Sequence, residues 1–181
     1  MLAIRMNDAA AAGLGVSAGL GLTMPPEGLS EGLRAMAARG VELRGEAVVW
    51  KDEPMWPESA FTSAVELTRW ERSASSFHLE DVVPVEVRLS ADGEPSISDV
   101  DQLVLLRQGV GFALEVCRLV AEGLSAVAVR CVVSANSTNG TFRFHRLRPG
   151  EDWMSADLDS FAVEKIVLVE REPAPEPNAR R

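Results

Sequence analysis

The most continuous hydrophobic pattern in the chain covers residues 99–122. Polar residues recur there every seven positions, at Asp101, Gln108, Glu115 and Glu122. Most other positions are apolar, which is typical of a helix that exposes one narrow stripe to solvent. Ser98 is a residue type that caps helix N-termini, and Gly123 is of the type that ends helices. The pattern therefore predicts a long central helix.

Two segments with the two-residue alternation of β-strands follow this helix, at residues 127–135 and 141–148. Between them, Asn139-Gly140 favours a two-residue type I′ turn, because both residue types tolerate a positive φ angle. We therefore predict a β-hairpin. Residues 162–170 alternate in a similar way and predict a third strand.

The two-residue turn also fixes which side chains lie opposite each other. It places Ser134 opposite His145. Cys131 and Phe144 then share the face that packs on the long helix. The opposite face is polar and is expected to contact solvent. It carries Arg130, Ser134, Arg143 and His145.

Weaker patterns predict the remaining elements. Ser30 can cap a short helix that ends near Arg39. Further strands are expected at residues 41–50 (interrupted near Gly45), 61–70 (a strand or an irregular segment) and 82–90. The resulting fold class is α+β, an antiparallel sheet packed against one long central helix at about residues 99–122, with a shorter N-terminal helix.

Composition divides the chain into a Gly/Ala-rich N-terminal arm at 1–27, a single α+β domain at 28–171 and a tail at 172–181 that we expect to be disordered. The arm is too weakly hydrophobic to span a membrane, and it lacks the leucine-rich core of a signal peptide. Cys117 and Cys131 lie in apolar runs and predict buried free thiols. A protein of the reducing cytoplasm is therefore expected.

The chain is acidic, with a formal net charge of −9, and an excess of arginine over lysine indicates a GC-rich, bacterial genome. Residues 42–94 alone contain 12 acidic and 5 basic residues. Such a surface repels nucleic acid and anionic membranes, so neither is expected as a partner, whereas a basic protein suits it. Trp56 lies between two prolines, with Glu53 and Glu58 nearby, and these three residues predict a partner-binding site.

Three patterns could carry chemistry, and each lacks a required part. Ser134 opposite His145 would pair a nucleophile with a base, but no orienting acid or oxyanion hole accompanies them. Residues 13–18 match a dinucleotide-binding turn without the strand that must precede it. The acids of residues 151–159 lack the glycine and closing glutamate of a calcium loop. We expect these acids to pair with nearby arginines, at Arg143, Arg146 and Arg148. No metal and no cofactor is predicted.

Three functions agree with these observations. The first is a small acidic domain that binds one protein partner, for example a toxin-neutralising immunity protein, because acidic surfaces speed association with cationic toxins. The second is an enzyme or anionic small-ligand binder that uses the polar sheet face, where Arg130, Arg143 and His145 could hold a carboxylate or phosphate. The third is a structural or assembly subunit, a homo-oligomer in which the N-terminal arm packs on a neighbouring copy. The lack of an assembled catalytic set in the sequence favours binding over catalysis.

Overall fold

The computed structural model describes residues 1–15, 25, 27–54, 61, 63–151 and 153–173. Its main sheet has five antiparallel strands, which in spatial order are β1 (Leu2–Met6), β9 (Lys165–Arg171), β7 (Val129–Ala135), β8 (Gly140–Arg146) and β4 (Phe77–His78). Two small hairpins accompany it, β2 (Val41–Arg44) with β3 (Ala47–Trp50), and β5 (Val87–Leu89) with β6 (Pro95–Ile97). The helices are α1 (Asp8–Leu14), α2 (Glu31–Ala38), α3 (Ala64–Ala74) and α4 (Asp99–Gly123).

The long helix α4 packs on one face of the main sheet, as the sequence predicts. Ser98 caps it, because the Ser98 hydroxyl accepts a backbone N–H of the first turn at 3.1 Å. The core between helix and sheet is aromatic, and the rings of Phe112 in α4 and Phe142 in β8 have centroids 4.7 Å apart. Gly109 lets α4 lie close to β7, because a Cβ there would overlap the Val133 side chain. The α+β class with its long central helix is confirmed.

The β7–β8 hairpin is present, but the predicted two-residue turn is wrong. Ala135 pairs with Gly140, so the loop has four residues, and Gly140 does not have a positive φ. The loop is closed instead by Asn136, whose side-chain oxygen accepts two backbone N–H groups at 2.8 and 3.0 Å. The register differs from the predicted one by an even number of residues. Cys131 and Phe144 therefore still share the face that packs on α4, as predicted.

Residues 61–70 contribute to a helix, so the predicted strand or irregular segment is wrong. Helix α3 begins after Ser63, whose hydroxyl accepts the N–H of Glu66 at 3.2 Å. A serine followed three residues later by glutamate is the pattern of a capping box. This local start signal prevails over the β-favouring residues in the segment.

Two further strand predictions need correction. Residues 41–50 form the β2–β3 hairpin, with Gly45 in the turn at a φ of 58°, rather than one interrupted strand. The strand predicted at 82–90 is limited to the three residues of β5, and Val83 before it belongs to the main core. The third predicted strand is present as β9.

The first 15 residues, which the sequence assigns to the arm at 1–27, have defined positions at the edge of the main sheet. Strand β1 pairs with β9 and places Ile4 opposite Val169. Asn7 caps α1, and its Nδ2 donates to the Glu164 carbonyl at 2.6 Å. Most of the predicted tail at 172–181 lies outside the described residues. None of the helices in the described part of the chain combines the length and apolar character that crossing a membrane requires.

Candidate functional site

The outer face of the main sheet, opposite α4, is covered rather than open to solvent. Residues 153–161 lie across it, and their apolar side chains pack on the outward-facing residues of the central strands. The cluster comprises Val132, Met154, Leu158, Ile166 and Leu168, with Trp153 and Phe161 at its border. As a result, the predicted polar face is largely buried, and Arg130, Ser134 and His145 are each at most 6% exposed. The expectation of a solvated face is wrong.

His145 is held in its neutral form at the centre of this face. The Trp153 indole N–H donates to His145 Nε2 at 2.9 Å, so that nitrogen must carry a lone pair. His145 Nδ1 donates to the Arg146 carbonyl at 2.9 Å, which assigns the proton to Nδ1. Burial, together with the positive charges of nearby arginines, lowers the pKa of His145 to about 4.

Ser134 and His145 do not lie opposite each other, so the predicted register that paired them is wrong. Ser134 lies opposite Thr141, and their hydroxyl oxygens are 2.9 Å apart. His145 lies opposite Arg130. Arg130 Nε donates to Glu170 at 2.6 Å in a partly buried ion pair, which engages its charge within the sheet.

Arg143 and Arg72 together form the most unusual feature of this face. Arg143 lies on β8, where its Nη2 donates to the Thr141 hydroxyl at 3.3 Å. Arg72 comes from α3 and stacks over Trp153, with its Cζ 3.2 Å from the ring centroid. Both side chains are half-buried, and the Nε of each is buried without a hydrogen-bond acceptor. Among the residues that the structure describes, neither guanidinium forms an ion pair with a carboxylate.

The two guanidinium groups are close enough to repel each other. Burial, and then the charges of Arg143 and Arg69, lower the pKa of Arg72 to about 10. Arg72 is therefore still charged at neutral pH, and its environment favours the arrival of a negative charge. We name the set of Arg72, Arg143, Thr141, His145 and Trp153 the arginine cluster.

Helix α3 is fixed in place by a buried ion pair beside the arginine cluster. Glu71 accepts a hydrogen bond from the Val48 N–H at 2.7 Å and pairs with Arg148 at 2.6 Å. At the end of α3, the Ser75 hydroxyl bonds both the N–H and the carbonyl of Phe144 in β8. Because α3 is bound to the edge of β8, Arg72 reaches the outer face beside Arg143. Sequence reasoning missed Arg72, and recognising the α3 capping box is the step that could have exposed it.

Arginines partly neutralise the acidic segment at residues 42–94. Five of its carboxylates form ion pairs, namely Glu42 with Arg44, Glu46 with Arg146, Asp52 with Arg39, Glu71 with Arg148 and Glu86 with Arg88. Of the acids at residues 151–159, which the sequence predicts to pair with Arg143, Arg146 and Arg148, Asp152 lies outside the described residues, and the described ones form no ion pair with these arginines: Arg146 pairs with Glu46 and Arg148 with Glu71. Of the predicted partner-binding residues, Trp56 and Glu58 lie outside the described residues. Glu53 is half-buried after β3, and its N–H donates to the Trp50 carbonyl.

Acidic side chains also line an open groove between the start of α2 and the 3₁₀ turn Leu79–Asp81. Its volume is about 550 Å³. Glu31 and Asp81 line it with exposed side chains, whereas the Glu80 carboxylate is largely buried and accepts the Gly140 N–H at 2.9 Å. The groove is acidic, whereas the arginine cluster is basic. It could accept a cationic segment.

In the described part of the chain, no three or more His, Cys, Asp or Glu residues are grouped so that they could hold a metal ion. The glycine pattern of residues 13–18 coincides with the end of α1, where Gly15 is the left-handed C-cap. Residues 16–18 lie outside the described residues. Comparisons with protein-family models, curated proteins and solved structures find no match for this chain.

Proposed function

We propose that this protein is a binding domain whose arginine cluster holds an anionic group of a small ligand. The observation that carries the proposal is the pair Arg72 and Arg143, two neighbouring half-buried guanidiniums without a carboxylate partner among the described residues. Buried polar atoms nearly always have hydrogen-bond partners, so two vacant Nε–H donors in one place favour an absent acceptor. A carboxylate or a phosphate presents the oxygens that guanidinium groups bind best.

The surrounding residues suit binding rather than proton transfer. His145 is neutral and already uses both ring nitrogens, on Trp153 and on the Arg146 carbonyl. The lone pair on Nε2 is therefore already engaged by the Trp153 N–H. The Trp153 ring packs against one face of the Arg72 guanidinium and restricts the Arg72 side chain before a ligand binds. Less conformational entropy of Arg72 is therefore lost on binding.

The experiment compares the thermal stability and calorimetric binding of the protein with inorganic phosphate, acetate and chloride at equal ionic strength. Phosphate or acetate should raise the melting temperature of the wild-type protein more than chloride does, because only the folded state presents the site. Arg143→Gln and Arg72→Gln should each weaken binding about tenfold or more, since a charge-assisted hydrogen bond contributes about 1.5 to 3 kcal/mol.

Arg88→Gln is the matched control, because it removes one positive charge from an exposed arginine that pairs with Glu86 on another part of the surface. It should leave binding unchanged. The proposal is wrong if neither oxyanion binds more tightly than chloride, or if Arg88→Gln weakens binding as much as Arg143→Gln.

A basic protein partner is the second candidate, and the groove beside α2 supports it. Glu31 and Asp81 line that groove with exposed carboxylates, and they could receive lysine or arginine side chains of a cationic toxin. In this form the protein is a cytoplasmic immunity protein, a location that fits its free cysteines.

Pull-down followed by binding kinetics tests this second candidate. The association rate of the captured partner should fall as salt rises, and Glu31→Gln with Asp81→Asn should lower it further. Reversal of Glu53 and Glu58 to lysine tests the site predicted from the sequence in the same assay, and Trp56→Ala should raise the dissociation rate. A partner that responds to none of these changes would contradict both acidic sites.

A further inference from the structure

Strand β1 leaves one edge of the main sheet open. Met1 exchanges backbone hydrogen bonds with Glu172. Farther along, the Asn7 N–H donates to the Ile166 carbonyl at 3.2 Å. The odd-numbered residues of this segment therefore direct their backbone groups toward β9, and by alternation the even-numbered residues direct theirs away from it. Within the described part of the chain, no hydrogen bond engages the N–H or carbonyl groups of these even-numbered residues, which are Leu2, Ile4 and Met6.

Strand β1 lacks the features that usually protect an open sheet edge. Such edges carry a proline, a lysine or a β-bulge. Strand β1 contains neither proline nor lysine, and it pairs with β9 residue by residue without a bulge. Its charged side chain, Arg5, is engaged by Glu170 at 3.2 Å. The other edge of the sheet is limited to the two residues of β4. Strand β1 is therefore the edge to which a further strand can add.

The side chains of β1 determine what that further strand must present. On the face toward α4, Ile4 and Met6 border the main core, and Leu2 remains 49% exposed. Leu2 lines a groove of about 390 Å³ between α4 and the start of β1, together with Leu114 of α4. On the outer face, Arg5 requires a neighbour without positive charge. A partner strand must therefore be apolar on the inner face and small or acidic on the outer face.

We propose that β1 pairs with β1 of a second copy of this chain, antiparallel and related by a two-fold axis, so that the two main sheets become one. Only the even-numbered residues have free backbone groups, and each hydrogen-bonded pair exchanges two bonds. With Ile4 opposite Ile4 of the second copy, Leu2 lies opposite Met6 at both ends, which gives three such pairs. A shift of the register by two residues leaves only two pairs. The centred register is therefore the favoured one.

The centred register also makes the side chains complementary. On the inner face it places Leu2 against Met6 and covers the exposed leucine. On the outer face Ala3 lies opposite Arg5 of the second copy, so the two arginines do not face each other. Glu170 flanks Ala3 on its other side, so the carboxylate of one copy approaches the guanidinium of the other across a small side chain. One surface thus supplies both halves of a closed two-fold contact, and this selects a second copy as the partner.

Sedimentation equilibrium of the native full-length protein tests the pairing. The wild type should form a species of twice the chain mass as its concentration rises. Ile4→Pro removes the N–H at the centre of the contact but no hydrogen bond within the chain, because that N–H faces away from β9. It should raise the dissociation constant of the dimer about tenfold or more, whereas Ile4→Val, which keeps the N–H, should change it little. A wild type that stays monomeric at every concentration, or equal dissociation constants for the two variants, would overturn the proposal.

A charged variant tests the same contact without changing the backbone. Leu2→Lys places an ammonium group beside Met6 of the second copy and should abolish the dimer, while its exposed position leaves the monomer folded. Leu89→Lys is the matched control, because Leu89 is an exposed leucine on β5, outside the main sheet. If Leu2→Lys leaves the dimer intact, or if both variants abolish it, β1 is not the contact.

Disulfide cross-linking measures the register. Ala3 and Arg5 of the second copy form a non-hydrogen-bonded pair with Cα atoms about 4.5 Å apart, a distance that a disulfide spans. A mixture of the Ala3→Cys and Arg5→Cys proteins should form a disulfide between positions 3 and 5 on oxidation. Either variant alone should not cross-link at these positions, because identical positions are offset by two residues along the strands. Disulfides that join identical positions as readily would contradict the two-fold register.

Discussion

The burial of neutral His145 predicts a specific loss of stability in acid. In the folded protein its pKa is lowered to about 4, whereas an unfolded chain has a histidine pKa near 6.5. Below about pH 6.5 the unfolded chain therefore takes up a proton that the folded protein does not. The contribution of neutral His145 is complete above that pH and is lost as the pH falls toward 4.

The magnitude follows from the difference between the two pKa values. Each pKa unit corresponds to about 1.4 kcal/mol, so His145 accounts for a decrease of about 3 kcal/mol in the free energy of unfolding between pH 6.5 and 4. The ring is 2% exposed, so solvent does little to reduce this effect. Protonation would also remove the lone pair on Nε2 that accepts the Trp153 indole N–H.

Urea denaturation of the wild-type protein and His145→Gln at several pH values between 4 and 7 measures the effect. The variant is expected to be less stable at pH 7, because it loses buried packing, but its free energy of unfolding should fall about 3 kcal/mol less on acidification. His78→Gln is the matched control, since His78 is the other histidine of the chain and solvent reaches its ring. Comparing differences between variants cancels the titration of Glu71 and the other carboxylates. Parallel pH curves for the wild type and His145→Gln would refute the buried neutral histidine.

Three other substitutions test the packing around α4 and α3 by urea denaturation. Gly109→Ala should destabilise the protein by about 1 kcal/mol or more, because overlap with β7 outweighs the helix propensity gained, whereas Gly123→Ala, where a Cβ meets nothing, should not destabilise it. Gly140→Val should cost about 1 to 3 kcal/mol through overlap with α4, and an unchanged melting temperature would contradict that close approach. Glu71→Gln should cost about 3 kcal/mol, because it leaves the buried Arg148 without its carboxylate, and a cost near zero would mean that the ion pair does not anchor α3.

The sequence predicts what local chemistry decides. Helix α4 is predicted almost to the residue, since its polar period and the Ser98 cap are properties of a short stretch of chain. The faces of β7 and β8 are also predicted, because alternation alone assigns Cys131 and Phe144 to the same side. The turn is predicted wrongly. Gly140 does not adopt a positive φ, and its missing side chain instead leaves room for α4. That close approach arises only in the packed protein.

The candidate site depends on contacts between distant segments, and this is why the sequence predicts only part of it. Arg143 and His145 can be placed on one face by alternation. Alternation does not show that Trp153 covers this face or that Arg72 stacks on Trp153. Both contacts depend on how α3 docks against β8. Residues 61–70 differ from the prediction for a local reason: their side chains favour a strand, but the capping box that starts the helix prevails.

Strand β7 separates the two faces of the main sheet by the alternation of its side chains. Arg130 and Ser134 point to the outer face with the arginine cluster, while Cys131 points to α4. The contacts that hold the arginine cluster run instead between α3, β8 and residues 153–161, on the other side of the sheet. The alternation of β7 therefore keeps the arginine cluster separate from the interface between the sheet and α4.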